Sequence, residues 1–201
     1  MFDIDKIVTA LRTDPNAQRT AGAGAAGLAA GMLFGRGGVG RIAKLGAMAA
    51  IGGIAYNAWQ KNRQGQQIDP EQAPPPGPFM PQSETEKDDL GKALVRAMIS
   101  AAKADGRIDA DEKARIFARL DGMDLSAQDK AFVFDELSSP LDMEAVVRSA
   151  DTPEHAAEIY AASLVAIDGQ SPAELAYLEA LAHRLGLPQG LISEIHAAAQ
   201  K

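Results

Sequence analysis

The chain has 201 residues, a formal charge of −7 and no cysteine. The missing cysteine excludes disulfides, thiolate catalysis and cysteine-based zinc sites. The charge is unevenly divided: residues 1–63 hold eight Lys/Arg against three acids, and the remainder holds twelve against twenty-four. A basic, Gly/Ala-rich arm therefore joins an acidic body. The arm suits an anionic surface, whereas the body would repel nucleic-acid phosphates.

The first stretch, MFDIDKIVTALRTDPNAQ, is mildly amphipathic and lacks the apolar run of a cleaved signal. Two uncharged runs follow, TAGAGAAGLAAGMLFG at 20–35 and LGAMAAIGGIAYNAWQ at 45–60. The basic segment RGGVGRIAK separates them. Glycines 27, 31 and 35 are four apart, and Gly46/Ala50 and Ala49/Gly53 repeat the spacing. Small residues four apart let helices approach closely in lipid, which also allows a homo-oligomer. Tyr56 and Trp59 stand where an interfacial aromatic belt belongs. The pattern predicts membrane helices over about 20–35 and 42–60, a hairpin with a basic tip that meets lipid through residues 20–60. A soluble Ala/Gly helical arm, a disordered tail and a nucleic-acid-binding arm are the alternatives. Sparse aromatics make stacking on bases a poor fit. Gly35–Gly40 matches G-x-G-x-x-G, but no β-strand precedes it and no acid follows before Asp69, so a dinucleotide fold is not indicated.

Residues 64–83 contain six of the eleven prolines and read as an extended spacer. The expected division is thus an arm at 1–63, a linker at 64–83 and a body at 84–201. The body is helical throughout. Ser83 with Glu86 predicts a capping box. An apolar stripe follows at Leu90, Ala93, Leu94, Ala97, Met98 and Ala101. Asp109, Ser126, Asp142, Thr152-Pro153 and Ser171-Pro172 open further helices, and Gly122 and Gly186 close two of them. No run alternates as a strand does. The fold class is all-α, a compact bundle of about seven helices behind a membrane-associated arm and a Pro-rich linker.

AMISAAKADG at 97–106 and YAASLVAIDG at 160–169 are each a helix ending in Asp-Gly, followed by a cap and a glutamate. This weak repeat predicts two stacked units with pseudo-two-fold symmetry. Asp105, Glu112, Asp168 and Glu174 would then come together. Cap chemistry accounts for each acid alone. A shared carboxylate cluster taking Ca²⁺ or Mg²⁺ accounts for the repetition, although the loop fails the EF-hand pattern. The histidines form no H-x-x-x-H pair, which argues against zinc; His155 and His196 read as exposed and His183 as partly buried.

The pair AAKADGRIDADEKARI and AIDGQSPAELAYLEAL resembles the TerB-like helical domains associated with tellurite resistance. With the Gly-rich arm and Pro-rich linker, the chain resembles the YebE-type bacterial inner-membrane proteins, a family of unknown function. The resemblance implies a pseudo-symmetric all-α fold, membrane association and divalent-cation binding by the acids. It implies a place at the bacterial inner membrane and brings no established catalysis; the helical domain is expected on the cytoplasmic side, with the topology left open by basic flanks at both ends of the second segment. No nucleophile motif is present. The expected function is a membrane-tethered binding or scaffold module whose acidic domain recruits a protein partner or senses a cation, linked to envelope or metal stress. The alternatives are a metal-dependent hydrolase using the four carboxylates and a soluble protein with a nucleic-acid-binding arm.

Overall fold

The computed structural model describes residues 1–11, 46–64, 79, 81–106, 108, 110–167 and 171–200, without the side chains of 64, 110–112 and 119. Nine helices and no strand occur among these residues: α1 (Ile4–Leu11), α2 (Ala47–Gln64), α3 (Glu84–Ala102), α4 (Ala110–Asp121), α5 (Ala127–Ser138), α6 (Met143–Arg148), α7 (Pro153–Ala166), α8 (Pro172–Arg184) and α9 (Gln189–Ala199). Seven of them fall in 84–201, as the sequence pattern predicts.

The cap chemistry sets the ends. Ser126 Oγ accepts the Asp129 N–H at 3.0 Å, Asp142 Oδ1 that of Ala145 at 3.0 Å, and Thr152 Oγ1 that of His155 at 3.1 Å. At α3 the expected box is displaced by one residue. Ser83 Oγ accepts the Glu86 N–H, but the Glu86 carboxylate reaches back to the Gln82 N–H instead of that of Ser83. Helix α8 ends on Gly186 at φ 65°, with Leu187 N–H bonded to the Ala182 carbonyl and Gly186 N–H to that of His183. This double closure needs a left-handed residue, and glycine adopts it without a Cβ clash. The expected Asp109 cap lies outside the described residues.

Helix α7 passes through the core. Every residue from Ala156 to Ala166 except Leu164 is buried, so this helix is covered all round. Its largest interface is with α3, whose stripe Leu90, Ala93, Leu94, Ala97, Met98 and Ala101 is wholly buried. Helices α8 and α9 also pack on α7. α3 and α7 are the first helices of the two repeated units, so the units do meet. That contact is less than the two-fold relation expected.

Helices α1 and α2 change the expected plan. α2 overlaps the second predicted membrane segment, yet it packs along α9 and α7. Its Ala47, Ala50, Ile51, Ile54, Ala55 and Ala58 are buried in the same hydrophobic cluster as the body. No helix among the described residues is long and apolar enough to cross a membrane. The first predicted segment, 20–35, lies outside the described residues. Small residues let a helix backbone approach a neighbour in protein as well as in lipid, and here the neighbour is protein. α1 adds Ile4, Ile7, Val8 and Leu11 to this cluster. Its Asp5 carboxylate accepts the Ala47 N–H and so caps α2 from another helix. The core therefore continues across the boundary expected at 64–83. Within that stretch Phe79 is buried, its ring edge-on to Tyr56 and Trp59 at 5.7 Å each, so the linker is pinned at this residue.

Candidate functional site

The four expected carboxylates fare differently. Asp105 is half-buried in the turn after α3, one residue before Gly106 at φ 72°. Glu112 lies in the first turn of α4, and its side chain is outside the description. Asp168 is likewise outside the described residues. Glu174 is buried, and its Oε2 accepts the Ser171 N–H at 3.1 Å while Ser171 Oγ accepts the Glu174 N–H at 3.1 Å. That reciprocal pair is a complete capping box, so one oxygen of Glu174 is already committed to the backbone. No group of three or more His, Asp or Glu side chains placed to hold a metal ion occurs among the described residues. Two of the four expected carboxylates, those of Glu112 and Asp168, lie outside the described side chains. The one member whose contacts are visible acts as a helix cap.

A groove of about 570 Å³ opens where the C-terminal turn of α2 meets the α6–α7 and α8–α9 turns. Trp59, Pro153, Leu187 and Leu191 give it an apolar floor, with Arg63 and Arg184 at its edge. Arg184 is ion-paired with Glu144 of α6. The first turn of α7 borders the groove at Thr152 and Pro153, adding backbone N–H groups that favour negative charge. The Gly186 turn shapes the opposite wall. Asp151 also lines the groove, so its charged lining is of both signs.

The core holds polar groups that sequence reasoning missed. Glu158 is fully buried, and neither carboxylate oxygen has a hydrogen-bond partner among the described residues. Burial, reinforced by Glu154, pushes its carboxyl up to about 8. A signal was available: the run AAEIYAASLVA is apolar all round, and such a helix is buried, so its one acid is buried with it. The Tyr160 hydroxyl and His196 Nε2 are 2.9 Å apart. His196 is half-buried with its pKa lowered by burial, whereas His183 is exposed, the reverse of the sequence expectation. The register of α9 turns His196 toward α7, and the last turn of α8 turns His183 to solvent. Burial also pushes the Tyr177 hydroxyl up to about 12; the Ser163 and Ser100 hydroxyls temper the rise without closing a hydrogen bond to it.

Capped helices around a buried α7, with a groove beside the end of α2, make an all-α helical domain. The chain belongs to the family described as Protein of unknown function (DUF533), which matches residues 18–199. It is 33% identical over 102 residues to an uncharacterized protein in the ampR 5′ region of Yersinia enterocolitica, covering 51% of this chain and 73% of that protein. No solved structure matches.

Proposed function

We propose that this protein is a helical binding module held at an anionic membrane surface by residues 12–45, which enter the bilayer interface without crossing it. The observation behind this reading is that the segment leaves the body at Leu11 and returns to it at Gly46. Both flanking helices lie in one core, and Asp5 of α1 bonds to Ala47 of α2. A segment whose two ends sit on one body crosses a bilayer an even number of times or not at all. Two crossings need about 40 apolar residues. Residues 12–45 number 34 and include six charged side chains, five of them basic. Insertion from one side fits this composition. The uncharged run 20–35 would enter the acyl boundary, and Arg36, Arg41 and Lys44 would meet anionic headgroups at roughly 1 kcal/mol each.

The resemblance to YebE-type proteins supports a place at the bacterial inner membrane, and the basic charge of the segment suits the anionic cytoplasmic leaflet. The groove beside α2 would then hold the partner close to the membrane. Vesicle flotation tests the reading. Full-length protein should float with vesicles containing about one-third phosphatidylglycerol and stay behind with pure phosphatidylcholine. Replacing Arg36, Arg41 and Lys44 by glutamine should weaken flotation at least tenfold. Equal flotation with both vesicle types would remove the anionic part of the proposal, and no flotation with either would remove the proposal.

A further inference from the structure

We infer that the seat of α2 on α7 is a proton-controlled latch, closed while Glu158 carries its proton and loosened when that proton leaves. Glu158 stands midway along α7 with no exposed surface, and neither of its oxygens has a hydrogen-bond partner among the described residues. Its carboxyl faces the backbone of α2 at Gly52. A Cβ added there would lie 3.1 Å from Glu158 Oε1 and 3.6 Å from the Phe79 carbonyl oxygen. Glycine at 52 is what lets the two helices close over the acid. Protonated, the carboxyl is a compact neutral group in a tight seam. Ionised, it is a charge with no counter-charge against it among the described residues, and opening the seam to water is the available relief.

The surrounding charges do not neutralise it. On α7 the group that acts on it is Glu154, one turn earlier and of like charge; His155 is the other titratable side chain of that turn. α2 carries no charge before Lys61, which is 3.5 Å from Glu194 of α9, and Arg63 borders the groove. His196 of α9 is engaged with the Tyr160 hydroxyl. On α3, Arg96 pairs with Glu136, Lys87 with Glu84, Asp88 accepts the Phe2 N–H, and Lys92 lies over the Phe2 ring; Asp89 adds negative charge. On α8, Glu174 closes its capping box and Arg184 pairs with Glu144, while Glu179 and His183 face solvent.

The closed state raises the carboxyl from its ordinary 4.5 to about 8, so it holds a proton that the open state releases to solvent. Opening is therefore favoured by rising pH between those two values and gains nothing further above the upper one. Because α2 also receives the returning end of residues 12–45, the latch would alter how that segment is held.

Hydrogen exchange on the full-length chain between pH 5 and 9, corrected for intrinsic rates, tests this. The opening constant of the amides at 50–58 should rise close to tenfold per pH unit up to about 8 and then level off, as one-proton linkage requires. Amides of α5 should keep a much smaller opening constant than those at 50–58 throughout this range. Glu158→Gln should abolish the rise; if that variant does not fold, Glu158→Met serves the same purpose. A wild-type profile without slope would overturn the latch, as would an unchanged slope in the variant. An α5 opening constant equal to that at 50–58 would also overturn it, because the event would then be global unfolding.

Discussion

Asp5 and Gly46 show how much can rest on two residues. Gly46 has φ 83°, and a Cβ placed there would lie 3.0 Å from Asp5 Oδ1. Alanine would face both a left-handed backbone and the carboxylate that caps α2, so Gly46→Ala should cost about 1–2 kcal/mol. A thermal melt of the full-length variant measures it. Glu158 carries a prediction for the whole fold. Its folded pKa of about 8 exceeds the ordinary 4.5, so its contribution to stability is complete at acid pH and is lost as pH rises through the folded value. Urea midpoints should fall from pH 5 to about 8 and then flatten, and Glu158→Gln should remove most of that fall. At this scale the sequence is readable where the chemistry is local. Ser126, Asp142, Thr152 and Ser171 each cap the helix that follows, because a cap needs only a side-chain oxygen and an N–H two or three residues on. The Tyr160–His196 contact joins residues 36 apart, and local pattern carries no trace of it.

Among the elements, α2 separates what sequence pattern can and cannot supply. Its small residues correctly announce a close-packing helix. Alanine and glycine pack as closely against protein as against another helix in lipid, so the pattern does not name the neighbour. The structure supplies it: α7 and α9, with Phe79 closing over Tyr56 and Trp59. Ala55 is fully buried in this seam. Ala55→Leu should therefore lower stability of the membrane-free protein by roughly 1–3 kcal/mol through overpacking. A lipid-facing alanine would accept leucine without loss, so one chemical denaturation curve separates the two settings. At α8 the complete capping box makes Ser171→Ala worth about 1 kcal/mol. Among the helices after Ser83, α5, α7 and α8 were legible because apolar residues and a side-chain cap agree, whereas α9 starts at Pro188 without a side-chain cap and was legible from its apolar residues. The role of α1 was not, since an eight-residue amphipathic stretch announces a buried face without saying which surface buries it.

For the molecule as a whole, the arm and body of the sequence are not the parts of the fold. α1 and α2, drawn from the basic arm, complete a core whose remaining helices come from the acidic body. The membrane reading proposed above consequently contracts to residues 12–45, and because these 34 residues, six of them charged, are too few for two crossings between ends on one body, the proposed geometry becomes one-sided insertion. Excising 12–45 and joining Leu11 to Gly46 through a short Gly-Ser linker should leave the thermal melt nearly unchanged and abolish flotation with anionic vesicles. Burial of two isoleucines and four alanines on α2 is worth several kcal/mol by area, before the entropy of ordering the helix. The most direct measurement is a urea titration of the full-length chain beside residues 84–201 alone, followed by circular dichroism. The account predicts that the fragment unfolds at a much lower urea concentration, or without a cooperative transition, because the surface that receives α1 and α2 is left open to water. Identical midpoints and slopes for the two would contradict it, since the body would then be complete without those helices.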